Sequence, residues 1–215
     1  MVGVDAGCLW RRPLGPHSSI TGLMDHPVVH VAYEDAEAYA SRAGEQLSTE
    51  AEWEYAARGG LDAAIFTWAT RCFRAARLWR IRGRVRFPGR IICSTVMTEH
   101  RQSVPSRLMD TVYDMAGNVW EWTSDWYSDS RLAGKTKPCC GDSLRREATI
   151  EDSFDPTQPQ IRIPRKVIRG GSYLCAPNYC LRFRPAARSP QMLDTSMSHL
   201  GFRCVVRSLQ KTAQP

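Results

Sequence analysis

Apolar residues recur with a helical period at 34–43, which predicts a short amphipathic helix. The stripe at i, i+3, i+4 and i+7 consists of Ala36, Tyr39, Ala40 and Ala43. Gly44 follows directly and is expected to end the helix in the left-handed conformation that glycine adopts most readily.

A second short helix is predicted within 47–60, where the boundary signals are clear. Thr49 and Glu52 have the spacing of a capping box, and acidic residues occupy the first turn, where the helix dipole favours them. Gly59 and Gly60 end the segment. Trp53 and Tyr55 are interpreted as core residues.

Three apolar, β-branched runs, at 27–33, 166–174 and 201–207, predict strands. The segment 112–127 is rich in aromatic residues and turn formers, and 128–165 is polar and predicts a long irregular loop. Two short helices, short strands and much loop predict an α+β fold. The 215 residues fit a single domain, 1–215.

The formal net charge of +7 is concentrated in one segment. Residues 69–111 contain ten arginines, no lysine, and only Glu99 and Asp110 as acids. A basic arm for nucleic acid is one interpretation, but such arms mix lysine with arginine, so no nucleic-acid partner is predicted. Ten arginines cannot all be buried unpaired, and the segment is therefore expected to be a disordered loop.

Membrane and export signals are not found in the sequence. No run approaches the ~20 apolar residues of a membrane helix, and residues 1–16 lack the apolar core of a signal peptide. The eight cysteines are irregularly spaced, without the paired CxxC motifs of a zinc site. They are interpreted mostly as free thiols of a reducing compartment, which predicts a cytoplasmic location and no membrane partner.

Six motifs occur in an order and spacing that match a known family. They are WRRPLGPHSSI at 10–20, DHPVVHVAYEDAEAYA at 25–40, LSTEAEWEYAARGG at 47–60, DMAGNVWEWTSDWY at 114–127, VIRGGSYLCAPNYCLRFRPAARS at 167–189 and DTSMSHLGFRCVVR at 194–207. Together they resemble the formylglycine-generating enzyme (sulfatase-modifying factor) family of bacterial type. The resemblance implies a fold related to the C-type-lectin-like fold, low in regular secondary structure and incomplete here, because the chain begins inside the family domain.

Cys175 and Cys180, in the segment CAPNYC, discriminate this family from others of related fold. Taken alone, two cysteines at this spacing indicate a disulfide or two unrelated buried thiols. Two thiolates are also soft ligands that suit Cu(I), and the resemblance implies that the pair binds copper and that the thiol of the substrate joins it. O2 would then be the co-substrate.

Other site residues are implied by the resemblance, one position at a time. Ser172 and Tyr179 match residues that line the oxidation site. Trp120, Arg188 and His199 match positions along the groove that holds the substrate peptide, although a surface histidine is the simpler interpretation of His199.

The resemblance also implies a calcium site. Its members are Asp114, Gly117, Val119 and Glu121. Backbone carbonyls together with carboxylates form a ligand set that this oxygen-seeking cation accepts. The alternative is an Asx-type turn beside core tryptophans.

Two departures from the family pattern are informative. Positions that carry disulfide cysteines in secretory members are Ala40, Ala57 and Pro185 here, which again indicates a cytosolic protein. Between Trp68 and Tyr113 the spacing is retained but the residues do not match.

A reading-frame error is our hypothesis for that mismatch. Residues 68–73, back-translated and read from the third base, can give Gly-Asp-Ala-Leu-Phe, which continues the family pattern, and two later stretches can be read in the same shifted frame. Sequencing the gene between the codons for Trp68 and Tyr113 tests the hypothesis, and an unshifted sequence would reject it.

The predicted function is copper-dependent oxidation of a cysteine in an unfolded sulfatase segment, Cys-x-Pro-x-Arg, to formylglycine. One alternative is an inactive member that serves as a peptide-binding or structural module. Another is a related iron-dependent sulfur-transfer enzyme, which needs a facial set of histidines that the five histidines do not suggest.

Overall fold

The computed structural model describes residues 7–61, 64–67, 112, 114–129, 147–175 and 181–207. These ranges include both predicted helices and the aromatic segment. The Arg-rich segment at 69–111 lies outside the described residues, as do Tyr179 and Cys180.

Helix α1 spans Tyr33–Ala43. The Asp35 carboxylate accepts the Ala32 N–H at 3.0 Å, and Gly44 ends the helix with φ 72°, as predicted. The buried stripe differs from the prediction, because it consists of Tyr33, Ala36 and Ala40. Tyr39 is 59% exposed and Ala43 is exposed, so the buried stripe is narrower than predicted and includes Tyr33, the first residue of the helix.

Strand β1, Gln46–Leu47, precedes helix α2, Glu50–Arg58. The predicted capping box is present: Glu52 N–H donates to Thr49 Oγ1 at 3.1 Å, and Thr49 N–H donates to Glu52 Oε2 at 2.8 Å. Trp53 is buried as predicted, whereas Tyr55 is 64% exposed and its interpretation as a core residue was wrong. Positions two apart face different sides of a helix.

The strand predicted at 27–33 does not form. His30 has φ 58°, which interrupts the extended backbone that a strand requires. The segment instead makes separate hydrogen bonds to a loop, from His30 N–H to Met197 O and from Tyr33 N–H to Leu193 O. The apolar pattern still indicates burial, since Val29 and Val31 are both 5% exposed.

A four-stranded sheet carries the core. Its strands, in chain order, are β2 Trp120–Trp126, β3 Arg165–Arg169, β4 Ser189–Met192 and β5 Leu200–Phe202. The spatial order is β4-β3-β2-β5, with only β2 and β5 parallel. Strand β6, Cys204–Val205, pairs with β1 in a separate two-stranded sheet.

The strands predicted at 166–174 and 201–207 have different bounds in the structure. The first ends at Arg169, because Gly170 and Gly171 have φ 91° and 70°. The second divides at Arg203 into β5 and β6. A 3-10 helix, Glu151–Ser153, interrupts the predicted loop at 128–165.

Aromatic packing joins the helices to the sheet. Trp122 has no exposed surface and meets the Tyr33 ring edge-on, with centroids 5.8 Å apart. Trp53 of α2 packs with Ala57 and Met115 in a second cluster. Among the described residues, none of the helices has the length and apolar character that crossing a membrane requires.

Candidate active site

A tight turn after β3 holds the first predicted copper ligand. Cys175 N–H donates to Ser172 O at 2.9 Å, and Leu174 N–H donates to Ser172 Oγ at 3.3 Å. Gly171 precedes the turn in the left-handed conformation, and a Cβ there would lie 3.0 Å from Phe183 N. Ser172 is 1% exposed. The turn is therefore held by the hydrogen bonds to Ser172 and by the packing of Gly171 against Phe183.

The Cys175 side chain lies in an apolar environment. It is 7% exposed and belongs to the same buried cluster as Trp120, Phe66 and Phe183. The rings of Phe66 and Phe183 stack with centroids 5.9 Å apart. A sulfur ligand in a site that excludes water suits a soft cation such as Cu(I).

The loop at 114–119 runs beside this turn. Tyr173 N–H donates to Asn118 O at 2.8 Å, and Gly117 N–H donates to Gly170 O at 2.8 Å. Asp114 and Asn118 both have φ 60°, a conformation that costs a non-glycine residue of the order of 1 kcal/mol. Of the two, Asn118 borders the cysteine turn through the hydrogen bond that its carbonyl accepts from Tyr173 N–H.

His199 and Trp120 meet at the same end of the sheet. Trp120 N–H donates to His199 O at 2.8 Å, and the His199 ring lies edge-on to Tyr173, with centroids 6.3 Å apart. Burial lowers the pKa of His199, and nearby His30 lowers it further. The buried Nδ1 of His199 has no hydrogen-bond partner among the described residues.

Arg188 lies in an ion-pair network that includes Glu50. Its Nε is 2.8 Å from Glu50 Oε1, its Nη1 donates to Ser128 O at 3.0 Å, and its guanidinium lies 4.7 Å from the Tyr127 ring centroid. Arg188 is partly exposed, with 21% of its side chain accessible.

The centre of this network is Arg169, which is fully buried. It bonds Glu54 at 2.5 Å and the Ala187 carbonyl at 2.9 Å, and it lies 3.4 Å from Glu50. Burial alone would raise the pKa of Glu54, but hydrogen bonds from Arg58 and Arg169 outweigh it and hold that pKa below the usual value. The sequence offers no local signal for these partners, since they are far apart along the chain.

Glu121, predicted as a calcium ligand, is committed to two protein donors. Its Oε2 accepts Trp53 Nε1–H and Arg203 Nε–H, both at 2.6 Å, and its Oε1 accepts Arg203 Nη2–H at 2.6 Å. These bonds use three of the roughly four acceptor positions of a carboxylate. The described residues contain no group of three or more His, Cys, Asp or Glu side chains arranged for a metal, so an ion here would depend largely on backbone carbonyls.

These elements define a mixed helix and sheet domain with a cysteine-bearing turn at the end of the sheet as its candidate site. The chain belongs to the sulfatase-modifying factor family, because the family model described as "Sulfatase-modifying factor enzyme 1-like domain" matches residues 3–208.

Named relatives support the same family. The formylglycine-generating enzyme of Mycobacterium tuberculosis is 43% identical over 202 residues, which cover 93% of this chain and 63% of the relative. The formylglycine-generating enzyme of Mus musculus is 37% identical over 207 residues, which cover 94% of this chain and 50% of the relative. The chain therefore spans about half to two thirds of the length of the curated relatives it matches.

A solved structure agrees at the level of the fold. PvdO from Pseudomonas aeruginosa superposes with a TM-score of 0.51 at 24% sequence identity, over 82% of this chain and 60% of that chain. At this identity the likeness concerns the fold and not the reaction.

Proposed function

We propose that the protein converts a cysteine in an unfolded sulfatase segment, Cys-x-Pro-x-Arg, to formylglycine with O2. Its family membership and its relatives named formylglycine-generating enzymes support the proposal. The observation that carries it is the position of Cys175, which is buried in the same cluster as Trp120 and lies on a turn that Ser172 holds.

The reaction requires an external reductant. Conversion of the substrate thiol to an aldehyde and hydrogen sulfide removes two electrons from the substrate, whereas reduction of O2 to the level of water requires four. The balance R–CH2–SH + O2 + 2 e⁻ + 2 H⁺ → R–CHO + hydrogen sulfide + water closes when a small thiol supplies the other two electrons. The one oxygen atom of the aldehyde and the one of the water molecule equal in number the two oxygen atoms of O2.

Copper is proposed as the cofactor, held by Cys175 and Cys180. Bound there, Cu(I) would supply a third coordination position for the substrate thiol and the means of activating O2. Ser172 holds the Cys175 turn by its carbonyl and hydroxyl oxygens. Tyr179 completes the proposed oxidation site.

Peptide binding is proposed for Trp120, His199 and Arg188. His199 and Trp120 are adjacent at one end of the sheet, because the His199 carbonyl accepts from Trp120 N–H. The Arg188 guanidinium is suited to a peptide carbonyl or carboxylate. We also propose a cytoplasmic location, since Ala40, Ala57 and Pro185 replace disulfide positions and are buried without thiols.

A Cu(I) titration against a competing chelator tests the cofactor. The wild-type protein is expected to bind one equivalent tightly, and the C175A/C180A double variant is expected to lose that site. A C204A variant is the matched control, because Cys204 is a partly buried cysteine outside the turn. Equal weak binding by all three proteins would contradict the copper assignment.

Calcium is proposed at the loop of Asp114, Gly117, Val119 and Glu121, and relation to the C-type-lectin-like fold is proposed for the domain as a whole. The left-handed residues of the loop turn its backbone sharply, as ligand loops for this ion require. The inactive, peptide-binding alternative is less well supported, because the relatives at 37% and 43% identity are named as generating enzymes.

A further inference from the structure

A carboxylate in the middle of α2 connects the end of that helix to the end of β3. Glu54 Oε2 accepts from Arg169 Nη2, and Glu54 Oε1 accepts from Arg58 Nε at 3.0 Å and from Arg58 Nη2 at 2.6 Å. Arg169 is the last residue of β3 and is fully buried, whereas 28% of the Arg58 side chain is exposed. The Arg58 guanidinium is therefore oriented from the core, although it lies near the surface.

The same guanidinium bonds the short segment 64–67. Arg58 Nη1 donates to Ala64 O at 2.9 Å. Ala64 and Phe66 are each 6% exposed, whereas Ile65 between them is 47% exposed, so alternate side chains of the segment point into the core. The bond from Arg58 thus holds the backbone two residues before Phe66.

Phe66 packs on a residue that supports the cysteine turn. Its ring stacks with that of Phe183, with 5.9 Å between the centroids and 20° between the planes. The backbone of Phe183 lies against Gly171, where a Cβ would be 3.1 Å from Phe183 Cα. Cys175, four residues after Gly171, belongs to the same buried cluster as both rings and is 7% exposed. Close packing of this kind leaves little room for one member to move alone.

We infer that Arg58 is a positioning residue for Cys175: its bond to the Ala64 carbonyl keeps Phe66 stacked on Phe183, and the two rings keep water away from the thiol. The importance of this shielding for catalysis rests on the proposed function, since a hydrophobic shell controls the access of solvent to a metal site. Without the bond from Arg58, the segment 64–67 moves away from Phe183 more often and exposes Cys175. The shielding itself can be measured on the metal-free protein.

Alkylation of Cys175 by iodoacetamide, located by peptide mass spectrometry, tests the inference. R58M keeps the alkyl stem but loses the donors, and it is expected to raise the alkylation rate about tenfold, because a buried thiol reacts when its surroundings open locally. F66A is expected to raise the rate at least as much. The double variant R58M/F66A should react no faster than F66A, since both substitutions remove the same shield.

R207M is the matched control. Arg207 also bonds a glutamate of α2, Glu52, and a backbone carbonyl, that of Leu47, but these contacts do not involve the segment 64–67. An exposed ion pair of this kind contributes little to stability. R207M is therefore expected to change the alkylation rate of Cys175 by less than about twofold.

Cys204 is the internal control in each protein, because it is partly buried and lies on β6, outside the cysteine turn. Unfolding of the whole domain would accelerate alkylation of both cysteines. An unchanged rate at Cys175 in R58M would overturn the inference, and so would equal acceleration at Cys204 or an R58M/F66A rate well above that of F66A. The proposed function fails separately: a wild-type protein without a tight Cu(I) site would reject the copper cofactor, while the alkylation rates still decide the role of Arg58.

Discussion

Lys166 is a charged residue whose surroundings the sequence does not suggest. It is 5% exposed, its Nζ donates to Ser124 O at 2.6 Å, and it lies 3.5 Å from the Trp126 ring centroid and 4.7 Å from that of Tyr33. Burial lowers the pKa of Lys166 to about 8, although the nearby Glu37 and Asp125 act in the opposite direction.

The pH dependence of stability follows from this shift. The unfolded lysine titrates near 10.5, so between pH 8 and 10 the unfolded state binds more protons and the free energy of unfolding rises, by about 2 kcal/mol from this residue. Burial raises the pKa of Tyr33. The contribution of this residue to the free energy of unfolding is therefore lost as the pH rises above 10. Urea unfolding of wild type and K166M at pH 7 to 10 measures the difference between the two proteins.

That difference isolates Lys166 from other groups. Burial raises the pKa of Cys204 from 9.0 to about 11, which removes stability above pH 9 in both proteins equally. A K166M variant whose unfolding free energy follows the same pH profile as that of wild type would contradict the assignment.

Single residues show where sequence patterns are sufficient. Trp53 and the Thr49 capping box could be predicted, because a helix boundary depends on neighbours three or four positions away. Lys166 and Glu50 could not, because their partners lie on other elements. Glu50 meets Arg169 and Arg188 more than one hundred positions along the chain.

Strand β5 depends on a close backbone contact at one glycine. A Cβ at Gly201 would lie 2.4 Å from Val28 O, and the same residue pairs with Glu121 of β2. G201A is therefore expected to destabilise the protein by about 3 kcal/mol, since neither backbone can yield easily. Urea unfolding measures the effect.

G44A is the matched control for G201A. Gly44 has φ 72° and no atoms within 4 Å of its Cβ position, so alanine there costs only the left-handed conformation, about 1 kcal/mol. Equal losses in the two variants would show that the contact with Val28 is not limiting.

Glu121 of β2 links α2 to the residue between β5 and β6, because it bonds Trp53 and Arg203. A substitution at Glu121 therefore tests the predicted calcium site. E121Q is expected to lower the free energy of unfolding by about 2 kcal/mol, because the partly buried Arg203 loses its counter-charge. Thermal unfolding with Ca²⁺ and with a chelator should show that calcium stabilises wild type and, to a smaller extent, E121Q, because backbone carbonyls would supply most of the ligands. If the thermal unfolding of wild type is the same with Ca²⁺ and with a chelator, the calcium prediction is contradicted. Arg203 is then the cation that Glu121 binds.

Elements with local signals were predicted more accurately than elements defined by pairing. Helix α2 begins and ends at its capping residues. By contrast, β1 and β6 are two residues each, and pairing across the chain is what makes them strands. The run at 27–33 has strand composition, but the left-handed His30 prevents a ladder.

At the scale of the whole molecule, three distant segments form the candidate site at one end of the sheet. The loop at 114–120, the turn at 170–175 and the residues around His199 are joined by backbone hydrogen bonds. Local patterns did not bring them together, whereas the family resemblance named Cys175, Ser172, Trp120 and His199 in advance. The same resemblance predicts that Arg188 binds the substrate peptide, but it does not indicate the contact of Arg188 with Glu50.

The most direct measurement is aldehyde formation on a peptide that contains Cys-x-Pro-x-Arg, with the protein loaded with Cu(I) and supplied with O2 and a thiol reductant. Mass spectrometry should show conversion of the cysteine to formylglycine by wild type, and none by C175A/C180A or with the cysteine replaced by serine. A copper-loaded wild-type protein that binds the peptide but leaves the cysteine unchanged would contradict the proposed oxidation and favour a peptide-binding module.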